Sequence, residues 1–356
     1  MANTKLETVL TQWQNLQPLA EIDRDRLSRR FTIDFNYNSN HIEGNTLTYG
    51  QTELLLLFGK IVGEANFRDC EEMKASNVGL QMMLVESSDK QLPLTQNFIR
   101  TLHRTLLRED YTVYRMLPGG VQTSYVIHAG QYKTRPNSVI TRYGDRFEYA
   151  SPEETPALMA DLVDWYNHAE QEGKLSPIDL AILFHYRYIR IHPFEDGNGR
   201  IARLMVNYIL SRHGYPMIVV RSRLKQDYLE ALHRADLIVG STPADGAHAS
   251  LKDIRPFHKY MVNLICHEIE NDVLFVTEKN QDVWWYDGER IAFRTPSYGK
   301  ILQELRREPK ATLAYLQEEI GINRSALQKL LQTLLDKHYV ERDADGSWRV
   351  FITPSM

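Results

Sequence analysis

HPFEDGNGRIAR, residues 192–203, joins two segments that each carry the apolar period of an α-helix. Upstream, residues 176–192 repeat apolar side chains along one helical face, behind a Ser-Pro pair that is typical of a helix start. Downstream, residues 201–209 form a second apolar stripe, and the pattern stops at Gly214. The spacing predicts two capped helices around a short loop, in a chain whose remaining patterns are mostly helical.

The loop contains a base and a backbone that can bind an anion. His192 ends the first helix, and a histidine can accept a proton near neutral pH. Gly197 and Gly199 allow a tight turn that exposes successive backbone N–H groups just before a helix N-terminus, which favours anions. These residues indicate a site for phosphate groups.

Charged side chains complete the set that nucleotide transfer needs. Asp196 is a hard oxygen ligand, suited to a Mg²⁺ ion that bridges phosphates. Arg200 and Arg203 are three residues apart on a helix, so they share a face and could clamp phosphate oxygens. Taken singly, a histidine before proline is usually a packing residue, D-G-N-G a turn and paired arginines a solvated face. All of them within twelve residues favour the functional interpretation.

This string resembles the signature of the Fic family, H-P-F-x-D/E-G-N-G-R-x-x-R, with every position filled. The segments LHR at 102–104, AGQYKT at 129–134 and IRPF at 254–257 are also similar to the family, so the resemblance covers roughly residues 1–265. It implies a mainly α fold, a Fic helical core with a β-hairpin flap. It also implies transfer of AMP from ATP to a protein hydroxyl, with release of pyrophosphate.

The resemblance assigns a role to each matching position. It implies that His192 deprotonates the Tyr, Thr or Ser hydroxyl of the target and that Asp196 holds Mg²⁺ on the α- and β-phosphates. Tyr228 would contact the adenine, although its apolar neighbours also fit a core residue, and His185 on the apolar stripe fits a core histidine. The residues that would contact ATP are Glu43, His192, Gly197, Asn198, Gly199, Arg200, Arg203 and Tyr228.

A flap follows from the same resemblance. It would span about residues 132–140 and begin with Tyr132, Lys133 and Thr134. A target would be held in register by adding a strand beside it. Lys133 stands where many members of the family have arginine.

A second informative string is NSNHIEGN, residues 38–45. Ser39 and Glu43 are i,i+4 neighbours, and Gly44 can end a helix, so the plain interpretation is a helix end with a solvated carboxylate. The string also resembles the family's inhibitory motif, S/T-x-x-x-E-G/N. That resemblance implies that Glu43 pairs with Arg203 and leaves ATP bound unproductively, so that release of the pair permits transfer, including self-modification. In some relatives the same glutamate positions a water that removes AMP, and the sequence leaves this open.

The last segment, residues 296–356, has the order helix, helix, turn, helix, hairpin, which predicts a winged helix-turn-helix. Gly321 supplies the turn, Asn323 caps the third helix and Asp345 with Gly346 forms the hairpin turn. Nine Lys/Arg against eight Asp/Glu in this segment leave a charge of +1, a weak basis for binding DNA phosphates. A DNA-binding regulator remains an alternative function.

Phosphoryl or phosphocholine transfer on the same scaffold is a further alternative. Members of the family with those activities alter parts of the signature. This chain keeps the whole string, which favours AMP.

These patterns divide the chain into four parts. We expect an N-terminal helical region with the inhibitory motif over residues 1–95, the catalytic core over 96–275, a connector over 276–295 and the winged helix over 296–356. Within the core, we expect a hairpin or extended loop over residues 118–150. A second loop is expected over residues 240–250.

Composition excludes several classes of protein. The net charge of −4 is not that of a basic nucleic-acid coat, and two cysteines cannot staple 356 residues. The longest apolar run, residues 54–58, is far shorter than a membrane span, and the N-terminus lacks the features of a signal peptide. We expect a cytoplasmic protein that forms a homodimer, with ATP and a protein target as partners and no membrane contact.

Overall fold

The computed structural model describes residues 2–61, 63–116, 122–140, 146–280, 282–308, 311–343 and 345–354. Helices account for most of the first 277 residues, and two short hairpins interrupt them. The helices are α1 (Ala2–Asn15), α2 (Glu21–Ile42), α3 (Tyr49–Phe58), α4 (Phe67–Ser88), α5 (Gln96–Leu107), α6 (Thr155–Glu172), α7 (Pro177–Ile191), α8 (Asn198–Arg212), α9 (Lys225–Val239), α10 (Pro243–Ala247) and α11 (Arg255–Thr277). The strands are β1 (Tyr111–Met116), β2 (Gln122–Ile127), β3 (Val139–Ile140) and β4 (Arg146–Phe147).

The two helices predicted around the HPFEDGNGRIAR loop are confirmed as α7 and α8, which pack against each other at the centre of the core. The Ser176 hydroxyl accepts a hydrogen bond from the backbone N–H of Asp179, as its N-cap position predicts. Helices α4, α5, α6 and α11 pack around this pair. The α7–α8 loop is thereby held at one end of a rigid helical pair.

Two of the predicted loops contain regular structure. Within 118–150, residues 118–121 and 141–145 lie outside the described part of the chain, but the rest belongs to two antiparallel hairpins, β1–β2 and β3–β4, and the first begins seven residues earlier than predicted, at Tyr111. The loop predicted over 240–250 contains the short helix α10, because Pro243 lies in its first turn, where its fixed φ suits a helix.

The C-terminal part is a separate module with its own apolar core. It consists of strands β5 (Val283–Tyr286) and β6 (Glu289–Ala292), helices α12 (Pro296–Arg307), α13 (Leu313–Ile320) and α14 (Arg324–Asp336), and strands β7 (Val340–Arg342), β8 (Trp348–Val350) and β9 (Thr353–Pro354). Gly321 ends α13 with φ of 72°, and the Asn323 side chain caps α14. The predicted winged helix-turn-helix is confirmed.

The segment predicted as a connector, 276–295, is mostly folded. Strand β5 pairs with β6 on one side and with β9 on the other, so the hairpin belongs to the sheet of the module. Successive side chains of a strand face opposite sides. Trp284 therefore lies in the core of the module, whereas Trp285 packs edge-on against Phe275 of α11, with the ring centroids 5.7 Å apart. One strand thus contributes to both cores.

In the described part of the chain, none of the helices combines the length and the apolar character that crossing a bilayer requires.

Candidate active site

His192 occupies the position where α7 ends, and its backbone is in the left-handed region with φ of 51°. Its half-buried ring stacks on Tyr149, with the centroids 3.9 Å apart and the planes at 14°. Burial first, and the Lys133 ammonium second, lower the pKa of His192 to about 3. The imidazole is therefore neutral at pH 7 and can accept a proton.

The loop after His192 is anchored from inside. The Phe194 ring is fully buried and stacks on His103, with the centroids 3.7 Å apart. The Asn198 amide accepts from the backbone N–H of Phe194 at 3.0 Å and donates to the carbonyl of Phe194 at 2.7 Å. Asn198 therefore uses its side chain to close the loop, and only its backbone remains for the predicted phosphate cradle.

The N-terminus of α8 carries a backbone anion site. Gly197 is the N-cap residue of α8, with φ of 76°. Glycine has no side chain that could cap the helix, and at this position, which the structure describes, no side-chain cap is formed. The Glu43 carboxylate lies directly over Gly199, so that a Cβ added there would collide with Oε1 of Glu43. A negative group thus already occupies the space beside the first turn of α8, where such groups are stabilised.

The inhibitory string and the end of the signature meet in one hydrogen-bonded cluster. Arg203, whose side chain is 2% exposed, donates from Nη2 to Oε1 of Glu43 at 2.6 Å. It also donates from Nη2 to the carbonyl of Ser39 at 2.8 Å and from Nε to the hydroxyl of Ser39 at 3.0 Å. Helix α2 ends at Ile42, and Gly44 follows with φ of 101°. The helix end therefore points Glu43 at the arginine.

Glu43 is ionised in this cluster. Burial would raise the pKa of its carboxyl, but the charge and hydrogen bond of Arg203 outweigh burial and hold the pKa below its ordinary value. About 40% of the Glu43 side chain is exposed, so the pair is open to solvent on one side.

Asp196 lies in the same loop, beside the start of α8. Its Oδ1 accepts from the backbone N–H of Gly197 at 2.6 Å, its Oδ2 accepts from the Tyr111 hydroxyl, and Nη2 of Arg200 lies 3.6 Å from Oδ2. Burial raises the pKa of this carboxyl, but Arg200 and these hydrogen bonds lower it below its ordinary value overall. An ionised oxygen is thus available beside the anion site.

The Asp196 carboxylate suits a Mg²⁺ ion whose other ligands come from a substrate. Within the residues described, no group of three or more His, Cys, Asp or Glu side chains gathers around a common point. Mg²⁺ commonly uses one or two carboxylates together with substrate phosphates rather than an all-protein cage. A cavity of about 580 Å³, lined by Arg68, Tyr111, Asp196 and Arg200 among others, adjoins this carboxylate.

Tyr228, for which the sequence allows an adenine contact or a core position, is buried. Its side chain is 3% exposed, and its hydroxyl is 2.8 Å from Nε2 of His185, itself fully buried. Burial, followed by the charge of Arg203, lowers the pKa of His185 to about 3. The burial of both residues agrees with their core interpretation, and the adenine contact of Tyr228 stays a prediction.

Of the three residues predicted to start the flap, Thr134 alone is exposed. Tyr132 packs on Phe194, and its hydroxyl donates to Gln96 at 2.9 Å. Lys133 is 3% exposed and donates from Nζ to the carbonyls of Ile191 and His192 and to the side chain of Asn137. Tyr132 and Lys133 therefore anchor the flap to the catalytic loop, because their polar groups find partners only on the inner side.

Three residues at the site have no signal in the sequence. Tyr111 bonds to Asp196, Tyr149 stacks on His192, and Asn137 donates to the carbonyls of His192 and Phe194. They come from hairpin β1–β2 and from the segments beside β3 and β4. No spacing connects them to the loop at 192–203, because tertiary packing alone brings them there.

Two parts of the chain match known protein families. Residues 93–210 match the profile of the Fic/DOC family, and residues 299–341 match a profile described as winged helix-turn-helix DNA-binding. The structure is similar to that of a Fic-domain-containing signalling protein from Bacteroides thetaiotaomicron, with 51% identity, a TM-score of 0.71, and 78% of this chain and 100% of that chain covered.

More distant relatives have names that state an activity. The protein adenylyltransferase fic-1 of Caenorhabditis elegans is 29% identical over 237 residues, which are 66% of this chain. The protein adenylyltransferase Fic of Nematostella vectensis is 29% identical over 244 residues, which are 68% of this chain. The chain spans only 40% and 49% of the lengths of these two curated relatives.

Proposed function

This chain belongs to the Fic/DOC family, and from that membership we propose that it is a protein adenylyltransferase that moves AMP from ATP to a Tyr, Thr or Ser hydroxyl of a protein. One observation carries the proposal. A neutral imidazole, an ionised carboxylate and the N-terminus of α8 are presented by a single loop of six residues, 192–197, and the helix turn after it.

The reaction follows from this arrangement. The hydroxyl oxygen of the target attacks the α-phosphorus of ATP while His192 accepts its proton. The bond from the α-phosphorus to the bridging oxygen breaks, and pyrophosphate leaves with the electron pair. The N–H groups at the start of α8, with Arg200 and Arg203, stabilise the negative charge of the triphosphate. Asp196 would hold Mg²⁺, which would neutralise phosphate charge and orient the leaving group.

The target would bind beside the flap. Strand β3, residues 139–140, pairs with β4 on one side, and an extended segment of the target would add to the remaining edge. The flap is fixed to the catalytic loop through Lys133 and Asn137, so the position of a strand added here would be set relative to His192.

Glu43 would inhibit this reaction. Its carboxylate engages Arg203 and lies beside Gly199, in the space where the end of the triphosphate would need both the arginine and the helix N-terminus. Two negative groups in one anion site repel each other, so ATP would bind with its phosphates displaced. Withdrawal of Glu43 would free Arg203 for the γ-phosphate.

Glu43→Gly tests the function and the inhibition together. Purified wild type, Glu43→Gly and Glu43→Gly/His192→Ala are incubated with labelled ATP and Mg²⁺, alone and in cell lysate. We expect Glu43→Gly to label itself or a target about tenfold faster than wild type. A charge-assisted pair can be worth more, but solvent screens this partly exposed one.

The double variant is the matched control, and it should lose the labelling because the base is absent. The mass added to the product identifies AMP, phosphoryl or phosphocholine. A phosphoryl or phosphocholine adduct, or equal labelling by Glu43→Gly and its His192→Ala derivative, contradicts the proposed activity. Labelling no faster than that of wild type contradicts the inhibition.

A further inference from the structure

The turn between β5 and β6 is inserted into a buried polar socket of the helical core. Its residues Asp287 and Gly288 have φ of 45° and 72°. A Cβ at Gly288 would collide with the guanidinium of Arg221, and the Gly288 carbonyl accepts from the side chain of Asn271 at 3.0 Å. The turn is therefore in close contact with the core, at backbone conformations that few residue types adopt.

Arg221 is the centre of this socket. Its side chain is 2% exposed, and it pairs with carboxylates from three parts of the chain. Nη1 lies 2.8 Å from Asp34 of α2 and 3.1 Å from Asp287 of the turn, and Nη2 lies 2.6 Å from Glu268 of α11. Removal of one partner from a buried charge cluster is strongly unfavourable. Asp287 of the turn is thus a member of the buried cluster rather than a surface contact.

The same turn contacts α2 at Asn38, one residue before Ser39, which binds Arg203. Nδ2 of Asn38 donates to Oδ1 of Asp287 at 2.6 Å, and Oδ1 of Asn38 accepts from the backbone N–H of Ser222 at 2.7 Å. The next residue, Ser39, supplies the hydroxyl and the carbonyl that bind Arg203. A movement of the turn would therefore reach the Ser39–Arg203–Glu43 cluster directly.

A second contact holds the module against the same region. The Tyr286 ring packs on Tyr49 with centroids 4.7 Å apart, and the Tyr49 hydroxyl donates to Asp34 at 2.6 Å. The ring of Phe351, at the end of the module, lies so close to Gly50 that any Cβ there would collide with it. Because Trp284 fixes strand β5 in the core of the module, the turn and the winged helix are expected to move together.

We propose that Asp287 is a positioning residue for the inhibitory end of α2, and that through it the C-terminal module controls AMP transfer. The inference rests on the proposed function. With the turn in its socket, Asn38 and Ser39 hold the last turn of α2 and Glu43 stays on Arg203. With the turn withdrawn, that end of α2 loosens and Glu43 leaves the anion site. A ligand of the module raises transfer if it binds the withdrawn state more tightly.

Asp287→Gly tests the coupling, because glycine keeps the φ of the turn and removes the carboxylate. Arg290→Ala is the matched control: it breaks the ion pair between Arg290, in β6 of the same hairpin, and Glu278 at the end of α11, and it leaves Asn38 untouched. Phe351→Ala provides a second disruption that spares the Arg221 cluster. Hydrogen exchange of the amides of residues 39–45 and AMP transfer are measured for the full chain in each variant.

We expect Asp287→Gly and Phe351→Ala to speed exchange at residues 39–45 and to raise transfer about 2- to 30-fold, the range in which changes along a coupled network act. Exchange in α7 should stay as in wild type, which shows that the core remains folded. Arg290→Ala should change neither quantity. In a Glu43→Gly background, Asp287→Gly should add nothing, because the group it releases is already absent.

Unchanged exchange at residues 39–45 in both Asp287→Gly and Phe351→Ala would overturn the coupling. So would a gain in transfer that persists in the Glu43→Gly background, since the effect would then bypass Glu43. Exchange needs no activity, so the coupling is decided even if Glu43→Gly proves no faster than wild type. That last result refutes the inhibitory role of Glu43 and, with it, control of transfer by the module.

Discussion

The chemistry of His192 depends on where the end of α7 places its ring. Burial, to which the stacked Tyr149 ring contributes, and then the charge of Lys133 keep the imidazole neutral, with its pKa lowered to about 3. So low a pKa makes a weak base in the free protein. The triphosphate of bound ATP would bring negative charge to this loop, and a nearby negative charge raises the pKa of a histidine. Under the proposed function, the substrate itself would therefore strengthen the base.

His192→Ala, in the Glu43→Gly background, should abolish transfer and leave ATP binding largely intact. The imidazole acts on the incoming hydroxyl, whereas the phosphates would be held by the start of α8 and by the arginines. Loss of a positioned base reduces the rate about 10²- to 10⁴-fold. Single-turnover labelling and ATP titration by calorimetry measure the two quantities. Equal rates with and without His192 would remove its role as base.

Asp196→Ala should raise the Mg²⁺ concentration needed for half-maximal transfer and lower the maximal rate. The variant loses the ionised oxygen that adjoins the anion site, and hard cations depend on such ligands. Mg²⁺ titrations of Glu43→Gly with and without this change provide the comparison. If both the Mg²⁺ dependence and the rate stay the same, Asp196 acts only as a structural acceptor for Gly197 and Tyr111.

Two helix termini, the end of α2 and the start of α8, define the site. The end of α2 delivers Glu43, and the Nζ of Lys225 fixes this end by donating to the carbonyl of Ile42 at 2.6 Å. The start of α8 offers N–H groups that can donate hydrogen bonds to a carboxylate or a phosphate. The end of α2 supplies a carboxylate that the start of α8 attracts. The same attraction would therefore act on Glu43 in the inhibited state and on the phosphates when ATP is bound productively.

The hydrogen bonds of Lys133 should stabilise the protein and hold the flap to the end of α7. Lys133→Met should remove the Lys133 donor from the carbonyls of Ile191 and His192, although Asn137 still donates to the latter, and reduce stability by about 1–3 kcal/mol. We expect lower transfer, because the end of α7 and the flap lose their connection, with ATP binding little changed. Thermal unfolding and transfer in the Glu43→Gly background are the measurements.

Lys133→Arg serves as the control for this change, since it keeps a donor at the same place. It should retain more stability and more transfer than Lys133→Met. Equal loss in the two variants would show that the size of the buried side chain matters rather than its hydrogen bonds.

The core of the molecule buries neutral histidines that are linked to the site. His103 accepts from the backbone N–H of Gly130 and contacts the carbonyl of Asp196, and His185 bonds to Tyr228. Burial lowers the pKa of His103 to about 4 and that of His185 to about 3. An unfolded chain takes up these protons near pH 6.5, whereas the folded chain does not. Stability should therefore be full above pH 6.5 and decrease as the pH falls below it.

His185→Gln measures one such contribution, since glutamine can still bond to Tyr228 and does not titrate. Between pH 7.5 and 5.5, wild type should lose about 1 kcal/mol more stability than the variant, because one proton is bound over roughly one pH unit below 6.5. Urea unfolding at both pH values gives the difference. His168→Gln, at a side chain that is 74% exposed, is the control for a histidine-to-glutamine change outside the core. Identical pH dependence in wild type and His185→Gln would show that this histidine does not couple to unfolding.

Local chemistry explains why much of the architecture could be predicted. Ser176, Thr48 and Asn323 each cap the helix that follows them, and a cap acts within three residues, so its signal is present in the sequence. The same holds for the loop at 192–203, whose groups are neighbours along the chain. The pairing of Glu43 with Arg203 followed from resemblance alone, because 160 residues separate the two.

Tertiary structure decided what depends on contacts between distant segments. Lys133 and Tyr228 carry polar groups that suit a surface or a ligand, yet both are buried. Inside the core, Lys133 donates to carbonyls at the end of α7, and the Tyr228 hydroxyl bonds to the ring of His185. Strand β5 shows no clear pattern in the sequence, because Trp284 and Trp285 serve two different cores and both of its faces are apolar. The sequence by itself thus determined the helices, their caps and the chemical groups of the loop. Which of those groups face one another, and how the C-terminal module reaches α2, was decided by packing, because burial pairs groups that the order of the chain keeps apart.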